Sequence, residues 1–283
     1  MRLQRRRNLI SRADNKVLLV AVLFVCSALL SALAQADVQT VDGLEFSRVQ
    51  LIGSNQLEFT QGADTKLKIR GDEGDLTPHP FVLQGETLRL GVSLEGGKVS
   101  GVKYRLTAPG LEALLVEGSG EAYVKPLAVA DLLLSLEGSG TLRLYDVQAL
   151  NLEMRVVGSG ELQAVDVSAE DVRLNLKGSG ALQLGSLHAD VVRAHMAGSG
   201  DISVEDGGEA NFVEVRVMGS GDVALREVTA RAADVNIMGS GDVHLGVEET
   251  LDVKIMGSGD MNYYGSPNTS TSVMGSGDIE QND

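Results

Sequence analysis

The chain has 283 residues, with 24 basic and 39 acidic side chains, a formal net charge of −15 and a single cysteine. A surface with such an excess of carboxylates repels nucleic acid and anionic lipid headgroups, so nucleic acid is not an expected partner. One cysteine excludes an internal disulfide and a metal site built from several thiolates. No cofactor is expected.

The first 36 residues are typical of an export signal. Six basic side chains accompany an uncharged apolar run from Val17 to Ala34, and Ala34-Gln35-Ala36 gives the small-x-small pattern of a cleavage site. We expect cleavage before Asp37 and export to the periplasm, the cell surface or the medium. The alternative is an uncut signal anchor, because the apolar run reaches the lower limit for spanning a bilayer. A membrane contact is expected only in that case.

Cleavage would make the mature chain more acidic. Residues 1–36 contain six of the basic residues, one of the acidic residues and Cys26, which leaves 18 basic and 38 acidic side chains and a net charge of −20. The mature chain would have no cysteine. Its stability must therefore come from burial of apolar side chains.

Residues 37–110 alternate apolar and polar side chains without a fixed repeat. Residues 56–59 (QLEF) and 66–69 (KLKI) show the alternation, and Gly, Asp and Pro between residues 71 and 80 indicate turns. We predict a strand-rich N-terminal cap that covers the first coil of the repeats. Such a cap is needed because exposed backbone at the end of a solenoid promotes end-to-end association.

The triplet Gly-Ser-Gly occurs nine times within residues 111–283, at steps of 20, 20, 20, 20, 21, 20, 18 and 18 residues. Apolar side chains alternate with polar ones through each triplet, as from Leu132 to Leu144. This phase predicts that both glycines face inward and the serine faces outward. The strand is predicted to bend at the glycines, because their missing side chains let the two walls of a narrow core approach each other. The predicted structural-turn glycines are Gly118, Gly120, Gly138, Gly140, Gly158, Gly160, Gly178, Gly180, Gly198, Gly200, Gly219, Gly221, Gly239, Gly241, Gly257, Gly259, Gly275 and Gly277.

Each repeat is predicted to form one coil of a solenoid. The period is two and not 3.6, which argues against helix, and a second short segment such as Val147-Gln148-Ala149 completes the repeat. The predicted fold is all-β, a parallel β-helix or β-solenoid of about nine coils stacked about 4.8 Å apart. A sandwich or propeller is the alternative, although 20 residues are too few for a four-stranded blade.

Several motifs give a family resemblance that covers nearly all of residues 37–283. They are VDGLEF at 41–46, FTQG at 59–62, IRGDE at 69–73, and APGL at 108–111 leading into Gly-Ser-Gly at 118. In this order the chain resembles the family named putative autotransporter adhesin head, the GIN domain of unknown function. The resemblance implies a right-handed parallel β-helix related in shape to pectin lyases, export, a proposed adhesive role and no assigned catalytic residues.

The residue before each triplet should face outward with the serine. Along the repeats this position changes from mostly charged or small residues to Met218, Met238, Met256 and Met274. Methionines stacked on an outer edge predict an apolar strip, a candidate interface for a protein or cell-surface partner or for self-association. The alternative is that another segment of the chain covers them.

A second outward ladder follows the later triplets. It consists of Asp201, Asp222, Asp242, Asp260 and Asp278. Aspartate beside a glycine turn commonly bonds nearby backbone N–H groups, and we favour that role over a cation site. These residues are only weak candidates for metal binding, and no metal is predicted.

No catalytic constellation is visible in the sequence. The four histidines are scattered, the nine repeated serines suit a turn, and there is no Gly-x-Ser-x-Gly elbow. Tyr263-Tyr264 is the only aromatic pair, and adjacent strand residues point to opposite faces, so no platform of rings is expected. We expect a non-enzymatic, adhesin-like binding or structural protein of the cell envelope. The alternatives are a polysaccharide-active envelope enzyme and a self-assembling architectural protein.

Overall fold

The computed structural model describes residues 37–72, 76 and 79–282. These residues form strands, turns and loops, and none of them belongs to a helix long and apolar enough to cross a membrane. They lie in one compact unit. The predicted export signal, with its cleavage residues Ala34 and Ala36, lies outside the described residues and stays a prediction.

Twenty strands are numbered here in chain order. The N-terminal strands are β1 (Asp37–Asp42), β2 (Arg48–Gly53), β3 (Gln56–Gln61), β4 (Lys66–Gly71), β5 (Phe81–Gln84), β6 (Thr87–Leu90) and β7 (Lys103–Ala108). The repeats contain β8 (Ala113–Gly118), β9 (Glu121–Val124), β10 (Leu127–Ala128), β11 (Asp131–Gly138), β12 (Thr141–Gly158), β13 (Glu161–Gly178), β14 (Ala181–Gly198), β15 (Asp201–Gly219), β16 (Val223–Gly239), β17 (Val243–Gly257), β18 (Met261–Tyr264), β19 (Asn268–Gly275) and β20 (Ile279–Asn282).

The repeats stack as parallel coils, which confirms the predicted β-solenoid. Leu134 pairs with Met154, Met154 with Leu174, and Leu174 with Ala194, each one coil further along. All four side chains are fully buried, so equivalent positions form continuous inward ladders. The solenoid makes about eight turns, slightly fewer than the nine predicted. Nine triplets delimit eight intervals, because a full turn runs from one triplet to the next.

Departures from the 20-residue step are absorbed in the segments between the triplets. The 21-residue step coincides with a register shift between Leu184 and Ser186 against the next coil. The first 18-residue step coincides with shifts between Leu225 and Thr229 and between Ala230 and Ala232. The strand that precedes the triplet keeps its register throughout, so the outward ladders of that wall remain continuous.

The orientation predicted for the triplets is right for the serine and the second glycine and wrong for the first glycine. All nine serines are exposed and all nine second glycines are buried, whereas the first glycines are half-buried or exposed. The first glycine has a positive φ between 108° and 143° in every copy, which redirects the chain and breaks the strict alternation. It is needed for close stacking of backbones and not to line a narrow core.

Backbone hydrogen bonds explain this stacking. The serine N–H of one coil donates to the first-glycine carbonyl of the coil before it, for example Ser179 N to Gly158 O at 2.9 Å and Ser240 N to Gly219 O at 2.8 Å. A Cβ on the first glycine would clash with that same carbonyl. A Cβ on the second glycine would meet both the glycine below it and an apolar side chain, as Gly180 meets Val156.

The N-terminal strands pair with the first strands of the repeats and lie at one end of the stack. Parallel strands β2 and β3 pair with β8 and β9, and on their other side with β6 and β7. Antiparallel strands then end the parallel order, because β4 pairs with β7 and β1, and β5 pairs with β6. The cap therefore replaces an open parallel edge with antiparallel pairs.

The cap also contains a coil that the sequence analysis did not assign to the repeats. Gly53-Ser54-Asn55 stacks directly on the first triplet, since Ser119 N donates to Gly53 O and Glu121 N donates to Asn55 O. Asn55 is 1% exposed and occupies the place of the second glycine. Its amide nitrogen donates to the carbonyls of Ile52 (2.7 Å) and Val99 (2.6 Å), and its oxygen accepts from Val102 N (2.9 Å).

Candidate interaction surfaces

The four methionines before the later triplets lie side by side on the outer wall. Met218 pairs with Met238, Met238 with Met256, and Met256 with Met274. Their side chains are 51%, 44%, 52% and 62% exposed, respectively. These fractions show that no described segment covers them, which was the alternative interpretation. We call these four residues the methionine strip.

A polar ladder borders the methionine strip. It consists of Arg216, Asn236, Lys254 and Ser272, which stand two residues before the methionines and pair in the same register. These four residues line a groove with Met238, Met256 and Met274. Arg216 forms an ion pair with Glu214, and Lys254 Nζ lies 3.2 Å from Asp252 Oδ1. An apolar strip with a charged border has the composition of a protein interface, where a polar rim surrounds an apolar centre.

Ion pairs cross-link the coil next to the strip. Arg193 Nη1 lies 2.5 Å from Asp171 Oδ2, and Arg193 Nε lies 3.6 Å from Glu214 Oε2. His195 stands between Asn175 and Arg216 in the adjacent ladder. Burial, and then the nearby charge of Arg216, lowers the pKa of His195, so the ring is neutral at neutral pH. This part of the wall is a fixed, paired surface.

Three aspartates of the second ladder accept a hydrogen bond from the backbone of the next coil. Asp222 Oδ1 accepts from Asp242 N at 2.9 Å, Asp242 Oδ1 from Asp260 N at 2.8 Å, and Asp260 Oδ1 from Asp278 N at 2.8 Å. These bonds join successive coils, whereas the sequence favoured bonds within one turn. Asp201 begins the ladder, and its own N–H donates to Gly180 O at 3.2 Å.

The aspartates change the backbone pairing around them. In earlier coils the residue after the triplet donates back to a glycine carbonyl, as Ala181 N does to Gly160 O at 3.0 Å. In the later coils the N–H of the residue after the triplet donates instead to the aspartate carboxylate of the preceding coil. The residue that follows this aspartate donates its N–H to a carbonyl of the next coil, as Val243 N does to Asp260 O at 2.9 Å. The ladder is thus part of the hydrogen bonding of the coils. Among the described residues, no group of three or more His, Cys, Asp or Glu side chains could hold a metal ion.

A further surface lies on the cap, and the sequence analysis did not single it out. Antiparallel strands β4 and β7 place Lys68 opposite Arg105 and Arg70 opposite Lys103, with all four side chains exposed. These residues line a groove of about 490 Å³ together with Lys125, Glu58, Tyr123 and Tyr145. We call this set of eight residues the basic groove.

Glu58 is the acidic member of the basic groove. Lys125 Nζ lies 2.8 Å and Arg105 Nε 3.2 Å from its carboxylate oxygens. The hydrogen bond from Lys125 lowers the pKa of Glu58, against an opposing contribution from burial, so this carboxylate stays charged. A signal for the groove was present in the sequence, because residues 66–70 and 103–105 alternate basic with uncharged side chains and contain no acid.

These features define a class of protein, a repeat scaffold with ordered ladders of side chains on the outside of a solenoid. The family model described as "Putative auto-transporter adhesin, head GIN domain" matches residues 45–206 and 165–267. The two matches together span most of the chain. The chain therefore belongs to this family, as the resemblance of its motifs predicted.

Solved structures with the same fold include three from Parabacteroides. An adhesin-like protein of P. merdae, described as a putative adhesin, is 16% identical with a TM-score of 0.65, over 88% of this chain and 97% of that one. Two proteins of P. distasonis have TM-scores of 0.66. One, described as a putative lipid binding protein, is 21% identical over 88% of this chain and 98% of its own. The other, described as a putative adhesin, is 16% identical over 87% of this chain and 97% of its own. A search of curated proteins finds no significant match.

Proposed function

We propose that this protein is an exported, non-enzymatic protein of the cell envelope that acts as an adhesin-like binding surface. The family description and the two structures described as adhesins support this class of function. The solenoid supplies rigidity, and the methionine strip supplies the contact. Its partner is a protein or cell-surface component that offers an apolar face.

One observation carries the proposal. Four long apolar side chains lie in register and remain about half exposed on an otherwise strongly charged protein. Methionine adapts its shape to different partners because it is unbranched and polarizable. Covering four half-exposed side chains would contribute about 1 kcal/mol each to the free energy of binding, before the entropic cost of association is subtracted.

Substitution of the strip tests the proposal. A variant with Met218→Lys, Met238→Lys and Met256→Lys should retain its melting temperature and lose capture of partners from intact envelopes, as well as any self-association seen by sedimentation. The matched control carries Gln148→Lys, Ser168→Lys and His188→Lys, which place the same three charges on an exposed ladder of another wall.

Two results would contradict this role of the strip. Equal loss of capture in both variants would show that the three added positive charges, and not the loss of the methionines, prevent binding of the partner. A large fall in melting temperature in the methionine variant would show that these side chains support the fold.

Export and the absence of catalysis need separate measurements. Cell fractionation with N-terminal sequencing should find the protein outside the cytoplasm with Asp37 as its first residue. Incubation of the mature chain with a panel of polysaccharides should release no new reducing ends or unsaturated products over time. Such products would establish the alternative, a polysaccharide-active envelope enzyme.

A further inference from the structure

The basic groove is positively charged, in contrast to the acidic protein as a whole. The chain carries a net charge of −15, yet five exposed cations face this one groove. They are Lys68, Arg70, Lys103, Arg105 and Lys125. Clustering of like charge in a concave site raises the local concentration of oppositely charged ligands.

Most of this positive charge is not neutralised within the protein. Glu58 pairs with Arg105 and Lys125, and both of its oxygens are thereby used. Among the described residues, no carboxylate forms an ion pair with Lys68, Arg70 or Lys103. Two like-charged pairs also lie directly opposite each other across β4 and β7, an arrangement that destabilises a sheet. An anionic ligand would relieve this repulsion.

Two tyrosines stand beside the free cations. Tyr123 projects outward from β9 with its hydroxyl 3.2 Å from Glu121, and Tyr145 is 51% exposed in the next coil. Both line the groove, although they lie 22 positions apart in the sequence. A tyrosine ring offers an apolar face with a polar tip, which suits packing against the apolar face of a sugar. Arginine and lysine beside it can bind the carboxylates of that sugar.

We propose that the basic groove binds a short stretch of acidic polysaccharide, a chain of sugars that bear carboxylates. Arg70, Lys103 and Lys68 bind the carboxylates, and the rings of Tyr123 and Tyr145 contact the sugars. Glu58 keeps Arg105 and Lys125 in place at the inner side. This site is separate from the methionine strip, and its test is independent of the adhesive role proposed above.

The surroundings of the groove favour a narrow ligand over an extended anionic surface. Exposed carboxylates of Glu121, Asp146 and Asp166 lie in the same and the following coils. A membrane or a nucleic acid duplex would have to approach these charges as it reached the cations. A single sugar chain can remain within a groove of about 490 Å³.

The experiment is calorimetric titration of the mature chain with oligogalacturonate, with the fully methyl-esterified oligomer as the uncharged control ligand. Oligogalacturonate should bind saturably at physiological ionic strength, and the methyl ester should not. The variant Arg70→Gln with Lys103→Gln should bind roughly tenfold or more weakly, because two charge-assisted contacts are lost. The matched control, Arg155→Gln with Lys177→Gln, removes two exposed cations from another wall and should bind as the wild type does.

A second variant separates sugar recognition from general attraction of anions. Tyr145→Ala changes no charge and should weaken binding of oligogalacturonate by several-fold at unaltered melting temperature. Three outcomes would overturn the proposal. They are absence of saturable binding, equal binding of all variants, and binding of duplex DNA or phosphatidylglycerol vesicles as tight as that of the oligosaccharide.

Discussion

Glycine is required at two positions of every triplet, for two different reasons. The first glycine has a φ that L-residues rarely adopt, and its Cα packs on the carbonyl of the glycine in the preceding coil. The second glycine is buried under an apolar side chain, as Gly180 is next to Val156. The serine between them projects into solvent and contributes its backbone N–H to the stack.

This difference predicts the effects of three substitutions in one triplet. Gly178→Ala and Gly180→Ala should each lower the free energy of unfolding by about 1–3 kcal/mol, through backbone strain and overpacking respectively. Ser179→Ala should change it by less than about 0.5 kcal/mol, since the side chain is exposed. Chemical denaturation measures all three. A serine variant that is less stable than either glycine variant would contradict this assignment.

Among the structural elements, the first coil shows how the cap and the repeats are joined. Asn55 fills the place of the second glycine, and its side chain bonds three backbone groups from two segments of the cap. Ile52 and Val102 are buried and Val99 is half-buried, so the amide replaces hydrogen bonds that solvent provides poorly there. The cap is attached by a polar side chain as well as by strand pairing.

Replacement of Asn55 by glycine, which would complete a Gly-Ser-Gly triplet, should therefore lower the stability of the protein. Asn55→Gly restores the repeat pattern but leaves the carbonyls of Ile52 and Val99 and the N–H of Val102 without this partner. We expect a loss of about 1–3 kcal/mol in the free energy of unfolding, measured by urea denaturation. Ser54→Ala is the control within the same triplet. Unchanged or increased stability of Asn55→Gly would show that these bonds contribute nothing.

For the molecule as a whole, repulsion between like charges opposes folding. The mature chain expected from cleavage has a net charge of −20, and the aspartate ladder adds like charges at successive coils. At the strand spacing, like charges in water repel by on the order of 1 kcal/mol per neighbouring pair. The backbone N–H groups that donate hydrogen bonds to these carboxylates offset part of this repulsion.

Salt should stabilise the protein without specific binding of calcium. The melting temperature should rise with sodium chloride, because mobile ions screen the carboxylates from each other. Calcium requires six to eight oxygen ligands, and several oxygens of the ladder already accept backbone hydrogen bonds. Calorimetry at physiological ionic strength should show no saturable site. A micromolar site that is lost in Asp242→Asn with Asp260→Asn would contradict this.

The fold was predictable because its signals are local and repeated. Alternation with period two identifies strands within a few residues, and nine triplets at nearly constant spacing fix the length of a coil. The outward position of the methionines follows from the same phase. The prediction that the first glycine faces inward was wrong, because alternation of side-chain direction holds only for an extended backbone. The first glycine has a positive φ and is not extended.

The sequence by itself determined the solenoid, the stacking of equivalent residues and the two outward ladders, since each depends on spacing along the chain. Only the tertiary structure decided which side chains of the cap come together. Lys68 and Arg105 become neighbours through antiparallel pairing of β4 with β7, and Tyr123 and Tyr145 meet the same groove from different coils. Pairing between distant strands depends on which register buries the most apolar surface. This pairing produces no repeating pattern in the sequence from which it could be predicted.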